Sequence, residues 1–445
     1  MSAWGVSSTF RSCDSLIQRI ERNDPTLKDL VILPTKQFGA DEVHRLCAVL
    51  DSNSNTHWMS LSASGHVLSV TLLQQLGQSI AANHLTPLDS LAIGDRSMGD
   101  EGVSALCHAL GRQHRLKVID LSYKNMTTTG FQSVLETLGV SPTLQSLNVS
   151  RNLLLGQDAA AITASSLFEN IAELDLSDCG ITHSFASALF AKFASSQVKR
   201  TLLLSNNPLG PEGLRSLEPL MENICTLNIS NSNIGNEGME VLSWFGSSAI
   251  VSLDLSRNNI SFEGIPSLIA CLYNKENEQL GTLRYLQKLD LSSNPLSEKG
   301  VCWLVSKGFA KFNDNSLQFL DLSETSCGIQ GACTVLTQSR VVSLRLFNNQ
   351  LGSEGFLAIS ELVDDSSVAP QLEILDLAGN SADVNSVVSL LKAILKRESS
   401  SEGPSRLRSL VIGGNASGTE VEEIVAQIRK VRPDMDIARD KSEKK

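Results

Sequence analysis

Metal binding, nucleophilic attack and proton transfer each need particular side chains at particular spacings, so the histidines, cysteines and carboxylates come first. The seven histidines, His44, His57, His66, His84, His108, His114 and His183, are dispersed, and no two stand at a ligand spacing. HExxH, paired CxxC, GxxxxGK(S/T) and GxSxG motifs are all missing. His108 and His114 fall near one predicted helix end, where surface or capping positions are expected rather than metal ligation. The nine cysteines stand singly, several in apolar helical contexts such as RLCAVL at Cys47 and SALCHAL at Cys107. That is the pattern of small core side chains in a reducing compartment. Carboxylates recur inside short apolar segments, and regular recurrence makes a column along a surface instead of an isolated acid–base pair. The expectation is a chain without catalytic residues, metal or cofactor, and therefore not an enzyme.

Composition narrows the partners. Acids outnumber bases 48 to 37, a net charge of -11 that argues against nucleic acid, which draws on clustered Lys and Arg. No apolar run approaches the roughly 20 residues of a membrane span, and MSAWGVSSTFRSC lacks the cationic and apolar regions of a secretory signal. The expected location is the cytoplasm, with the nucleus and the cytoskeleton as alternatives. The short cationic run RDKSEKK carries its own acids and reads as a solvated tail.

What must position any functional residue is a repeated phrase. SLDLSRNNISFEGIPSL, residues 252–268, has close variants in VIDLSYKNM from Val118, ELDLSDCGI from Glu173, KLDLSSNPL from Lys288, FLDLSETSC from Phe319, SLRLFNNQL from Ser343 and ILDLAGNSA from Ile374. With two degenerate copies from Asp29 and Trp58, the chain holds about fourteen units spaced by roughly 24 to 36 residues. Leucines alternating with variable residues read as a short strand with one apolar face. A helix follows, and Glu101, Glu212, Glu237 and Glu354 fall near its N-terminus, where unpaired N–H groups favour negative charge. Strand and helix alternate throughout, so the strands are parallel and each unit buries its leucines against its neighbours. One unbroken array without a hinge is expected.

An asparagine three residues after the second strand leucine is the other fixed point: Asn152, Asn207, Asn258, Asn294, Asn349, Asn380 and Asn415. Its amide is expected to satisfy backbone groups left over where the strand ends. Cys179, Ser232 and Thr325 take the same place. So do Arg96 and Lys124, which cannot accept a hydrogen bond, and looser early turns are expected there.

These long units resemble the leucine-rich repeats of the ribonuclease-inhibitor type. The resemblance implies an α/β fold, a leucine-rich repeat solenoid or horseshoe with a parallel sheet on the concave face and helices on the convex face, and a protein-binding role. LIQRIERNDPTLKDLVIL, residues 16–33, is similar to the leading helix of the tropomodulin-type repeat domain. The expected organisation is an N-terminal capping helix within 1–27, about 14 repeats over 28–417, a C-terminal capping helix within 418–434 and a polar tail over 435–445. A non-catalytic protein–protein interaction scaffold or adaptor is expected. Two alternatives stay open: an actin-associated, tropomodulin-like cytoskeletal regulator, and a GTPase-activating protein similar to the Ran GTPase-activating family, whose usual strongly acidic tail is replaced here by KSEKK.

Residues beside the strand leucines point away from the core and form columns along the sheet. The central column is mostly acidic, with Asp254, Asp290 and Asp321, until Arg345 breaks it. The following column is largely serine and then presents Phe347, and the preceding one carries Phe319 and Ile374. Phe319, Arg345, Phe347 and Ile374 are the expected anchor, and Asp254, Asp290 and Asp321 the charges that steer a protein of basic or mixed surface toward it. Nucleic acid, membrane and small-molecule substrates are not expected. Four long spacers, YNKENEQLGTLRY, KFNDNS, VDDSSVAP and KRESSSEGPS, fall between a helix end and the next strand, and one shared rim is expected for them.

Overall fold

The computed structural model describes residues 12–52, 57–85, 88–112, 114–154, 162, 166–193, 195–245, 248–274, 279–310, 317–365, 367–400 and 405–439. It divides into two compact units, Met1–Pro208 and Leu209–Lys445. The spacer KFNDNS and parts of the other three lie outside the described residues, as do residues 1–11 of the expected N-terminal cap and 440–445 of the expected tail.

Each unit is an α/β solenoid with one layer of parallel strands and one of helices. The first carries β1 Asp29–Val31, β2 Ser60–Ser64, β3 Ser90–Gly94, β4 Val118–Asp120, β5 Ser146–Asn148, β6 Glu173–Asp175 and β7 Arg200–Leu203, paired in sequence order. The second carries β8 Ile224–Asn228, β9 Ser252–Asp254, a small antiparallel hairpin of β10 Tyr273–Asn274 and β11 Gln279–Leu280, then β12 Lys288–Asp290, β13 Phe319–Asp321, β14 Ser343–Arg345, β15 Ile374–Asp376, β16 Ser409–Val411 and β17 Asp436–Ala438. Register never slips in the second unit: Leu253, Leu289, Leu320, Leu344, Leu375, Leu410 and Ile437 stand rung to rung. All are buried, together with the leucine two residues on in Leu255, Leu291, Leu322, Leu346 and Leu377. A one-residue slip would turn every one of them to solvent, which is why the register holds.

The strand is short because the chain turns on the asparagine. Asn258 is flanked by Arg257 and Asn259, both left-handed at φ 57° and 55°. Its Oδ1 accepts from the N–H groups of Ser232 and Ile234 in the preceding repeat, and its Nδ2 donates to the carbonyls of Ile229 and Leu255. Asn152, Asn207, Asn294, Asn380 and Asn415 make the same set, and Asn349 most of it. At the variant positions the substitutes make fewer bonds: Cys179 Sγ reaches the Val149 carbonyl at 3.3 Å and Thr325 Oγ1 the Leu322 carbonyl at 2.7 Å. Lys124 departs from the looser turn expected of it. Its side chain is buried and its Nζ donates to the Gly94 carbonyl at 2.9 Å, while Asn152 Oδ1 holds its backbone N–H. The long donor reaches Gly94, one residue beyond Ile93, which stands where Leu121 accepts from Asn152, and burial lowers the ammonium's pKa.

Helices begin by a second device. Gly99, Gly210, Gly235 and Gly352 are left-handed, and each donates its N–H to the carbonyl of the column residue in the next repeat, Lys124, Ser232, Asn258 and Asn380. Glu101, Glu212, Glu237 and Glu354 lie in the first turn of the helices that follow. At the N-terminal end of the first unit the helix Asp14–Glu21 buries Ile17 and Ile20, and Arg45 of the next helix ties down Asp14 and Glu21. At the other end of the second unit the helix Thr419–Val431 is followed by β17, a strand that DMDIARD does not announce.

Candidate functional site

Register brings Phe319, Arg345 and Ile374, three of the four residues expected as an anchor, onto the adjacent strands β13, β14 and β15 of the second unit. Phe319 pairs with Ser343 and Ser343 with Ile374, while Asp321 pairs with Arg345 and Arg345 with Asp376. Arg345 is exposed, yet fixed from two sides: its Nη1 lies 3.5 Å from Asp321 Oδ2 and its guanidinium sits 5.1 Å from the centroid of the half-buried Phe319 ring. Phe347 is 40% and Ile374 39% exposed. The Phe347 ring lies against Gly379, where a Cβ would stand 2.8 Å from Cε2, and Gly379 is itself left-handed at φ 69°. Glycine at that place leaves the ring a flat backbone floor, and Val411 replaces the acid of the column in β16. The face therefore changes from acidic to apolar across three repeats.

The three aspartates are not equivalent. Each uses Oδ1 to accept the N–H two residues on, from Ser256, Ser292 and Ser323 respectively. Asn148 and Asn228 do the same for Ser150 and Ser230, so the acid of the column is also a turn-former. Asp321 is 6% exposed and paired with Arg345, so its charge is largely neutralised within the chain. Asp254 and Asp290 are half-buried. Burial raises the Asp290 carboxyl to about 6, with the neighbouring Asp321 and Asp254 adding to the shift. Lys288, which sequence reasoning passed over, stands in register with Phe319 and is the cation next to this column. The same column alignment that exposed Phe319 contains it.

Other candidate chemistry is placed apart. Among the described residues no group of three His, Cys, Asp or Glu could hold a metal. His114 does not take the surface or cap position expected of it. It is buried, and burial pushes its pKa down to about 4, so it stays a neutral packing residue. Six cysteines are buried, and Cys225, Cys302 and Cys333 half-buried, all as free thiols. Among the described residues no helix is long and apolar enough to cross a membrane.

A family model described as Leucine Rich repeat matches residues 223–243 and 282–301. A ribonuclease inhibitor of Mus musculus is 29% identical over 330 residues, covering 66% of this chain and 72% of that protein. One of Sus scrofa is 26% identical over 407 residues, covering 89% and 79%. The human NACHT, LRR and PYD domains-containing protein 5 is 26% identical over 328 residues, 64% of this chain but only 26% of its own length. Strand, asparagine turn and helix repeated in register give this chain the leucine-rich repeat fold, and these likenesses make it similar to the ribonuclease-inhibitor type of such repeats.

Proposed function

We infer that the chain is a non-catalytic scaffold or adaptor, located in the cytoplasm, that binds a protein of basic or mixed surface on the open sheet face of the second unit. Leucine-rich repeat proteins in general are interaction scaffolds. The observation that carries the finer reading is Phe347, a large ring held in the open on a glycine floor beside Arg345 and Ile374. An exposed aromatic next to an arginine fixed by stacking is the composition of an interface anchor. Asp254 and Asp290 supply negative potential along the approach, and the Asp290 share falls as pH drops through about 6.

The test uses a partner captured from the source cell and then purified. Phe347→Ala is expected to weaken its binding by about 1 to 4 kcal/mol with the melting temperature nearly unchanged. Salt should slow association with the wild type, because Asp254 and Asp290 are steering charges. Unchanged binding by the Phe347 variant overturns the proposed face. Stimulation of a GTPase, or co-sedimentation with actin, would replace the adaptor reading with one of its two alternatives.

A further inference from the structure

The helix layer of the second unit carries an aromatic surface whose flanking lysines enter no ion pair among the described residues. The helix Ser297–Trp303 runs on as a π-helix over Leu304–Phe309. Along it Lys299, Trp303 and Lys307 are all exposed, at a four-residue spacing that brings side chains to one side of a helix. Trp303 is 39% exposed. Its indole lies face to face with the Phe262 ring, centroids 5.3 Å apart and planes 15° apart, and Lys299 Nζ sits 4.6 Å from the Phe262 centroid. Phe262 opens the neighbouring helical segment, and exposed Pro266 continues the apolar strip one turn on. The change from α to π winding falls immediately after Trp303, and such single turns are concentrated at functional positions.

Charge decides what fits this strip. Neither Lys299 nor Lys307 enters an ion pair among the described residues. The two carboxylates on these helical segments turn to other partners: Glu263 accepts from Ser261 Oγ, and Glu298 from the Gln330 N–H. Lys117, Lys392 and Lys396, by contrast, each meet an acid. The other exposed tryptophan among the described residues, Trp244, is 60% exposed but lies under Arg215, which is already paired with Glu212. Among the described residues this is the open indole flanked by two lysines without an ion pair, one of them over the Phe262 face, on a chain whose net charge is -11. We propose that Phe262, Lys299, Trp303 and Lys307 form a second docking surface, on the helix layer, for an acidic segment of a partner protein. Carboxylates of that segment take the two ammonium groups, and an apolar residue between them lies on the Trp303 indole.

A labelled synthetic peptide of Asp and Glu around a central leucine, titrated against the whole chain by fluorescence anisotropy at low salt, tests this. Binding is expected, weakened about 10-fold or more by Lys299→Glu with Lys307→Glu, and by Trp303→Ala. It should be unchanged in Trp244→Ala and in Phe347→Ala, which separates this surface from the sheet face. The two lysines are solvent-exposed, so the charge-reversed variant keeps its fold even if Trp303→Ala does not, and a thermal melt of each variant checks this. Failure of the peptide to bind, or equal binding by the charge-reversed variant, overturns the proposal. So does equal binding by polyglutamate, by single-stranded DNA or by phosphatidylserine vesicles, since each would make the strip a general anion surface.

Discussion

Asn258 uses both ends of its amide on backbone groups of its own repeat and the one before: the N–H groups of Ser232 and Ile234, the Ile229 carbonyl, and the Leu255 carbonyl, which it shares with Asn294 Nδ2. Replacing it by alanine leaves buried N–H and carbonyl groups unpaired at several points, each costing about 1 to 3 kcal/mol. Asn258→Ala should lower unfolding free energy by roughly 3 kcal/mol or more in urea denaturation, and Asn258→Ser, which copies Ser232, by less. Asp290 bears on stability in the opposite sense. Its folded pKa of about 6 lies above the unfolded value of about 3.9, so the native state holds the extra proton between those values. Stability from this group therefore falls as pH rises through that window. Asp290→Asn keeps the turn, as Asn148 and Asn228 do, and discards the charge. The variant should exceed the wild type by on the order of 1 to 2 kcal/mol at pH 7.5 and match it below about pH 4. Equal pH profiles would show that Asp290 is better solvated than its place between two acids implies.

At the scale of the element, two glycines three residues apart do different work. Gly235 is left-handed at φ 62° with open space around it, so Gly235→Ala adds only the conformational cost of about 1 kcal/mol. Gly238 lies inside the helix, where a Cβ would come within 2.0 Å of Ile234 Cγ2, and Gly238→Ala should cost roughly 2 to 3 kcal/mol. Chemical denaturation of the two variants side by side checks the order. Strand, turn and helix were legible because leucine, asparagine and glycine recur at fixed offsets, each with one physical use. What did not repeat was hidden. LSEKGVCWL reads as an ordinary helix start, since a π turn has no residue signature, and the stacking of Trp303 on Phe262 depends on a neighbouring repeat. The buried Lys124 and His114 were misread for the same reason: their surroundings are supplied by residues distant in sequence. The outward placement of Phe347, Arg345 and Ile374 was legible in the strand columns, because an outward position admits any residue and a departure from its habit is visible.

For the molecule as a whole, the consequence of repetition is that an end is the one place where a unit lacks a neighbour. Among the described residues of the first unit β1 pairs only with β2, and Val31 is open to solvent beside it. The helix Asp14–Glu21 stands where a preceding helix would pack, with Ile17 and Ile20 buried and Cys13 Sγ donating to the Gln37 carbonyl at 3.0 Å. Its two ion pairs to Arg45 are solvent-facing, so the apolar contact carries the attachment. Removing residues 1–27 bares the apolar side of the next helix, including Val43 and Leu46, and leaves a sheet edge uncovered. A stack in which stability passes from neighbour to neighbour should respond along its length, not only at the cut. The truncated chain should melt at a lower temperature and associate at concentrations where the full chain is monodisperse, measured by thermal denaturation and light scattering. A weaker version of the same loss should follow Ile17→Ala with Ile20→Ala, roughly 2 to 5 kcal/mol per side chain at most. An unchanged melt in both would mean that the first repeat is self-sufficient and that the helix is an ornament on it, which its buried isoleucines argue against.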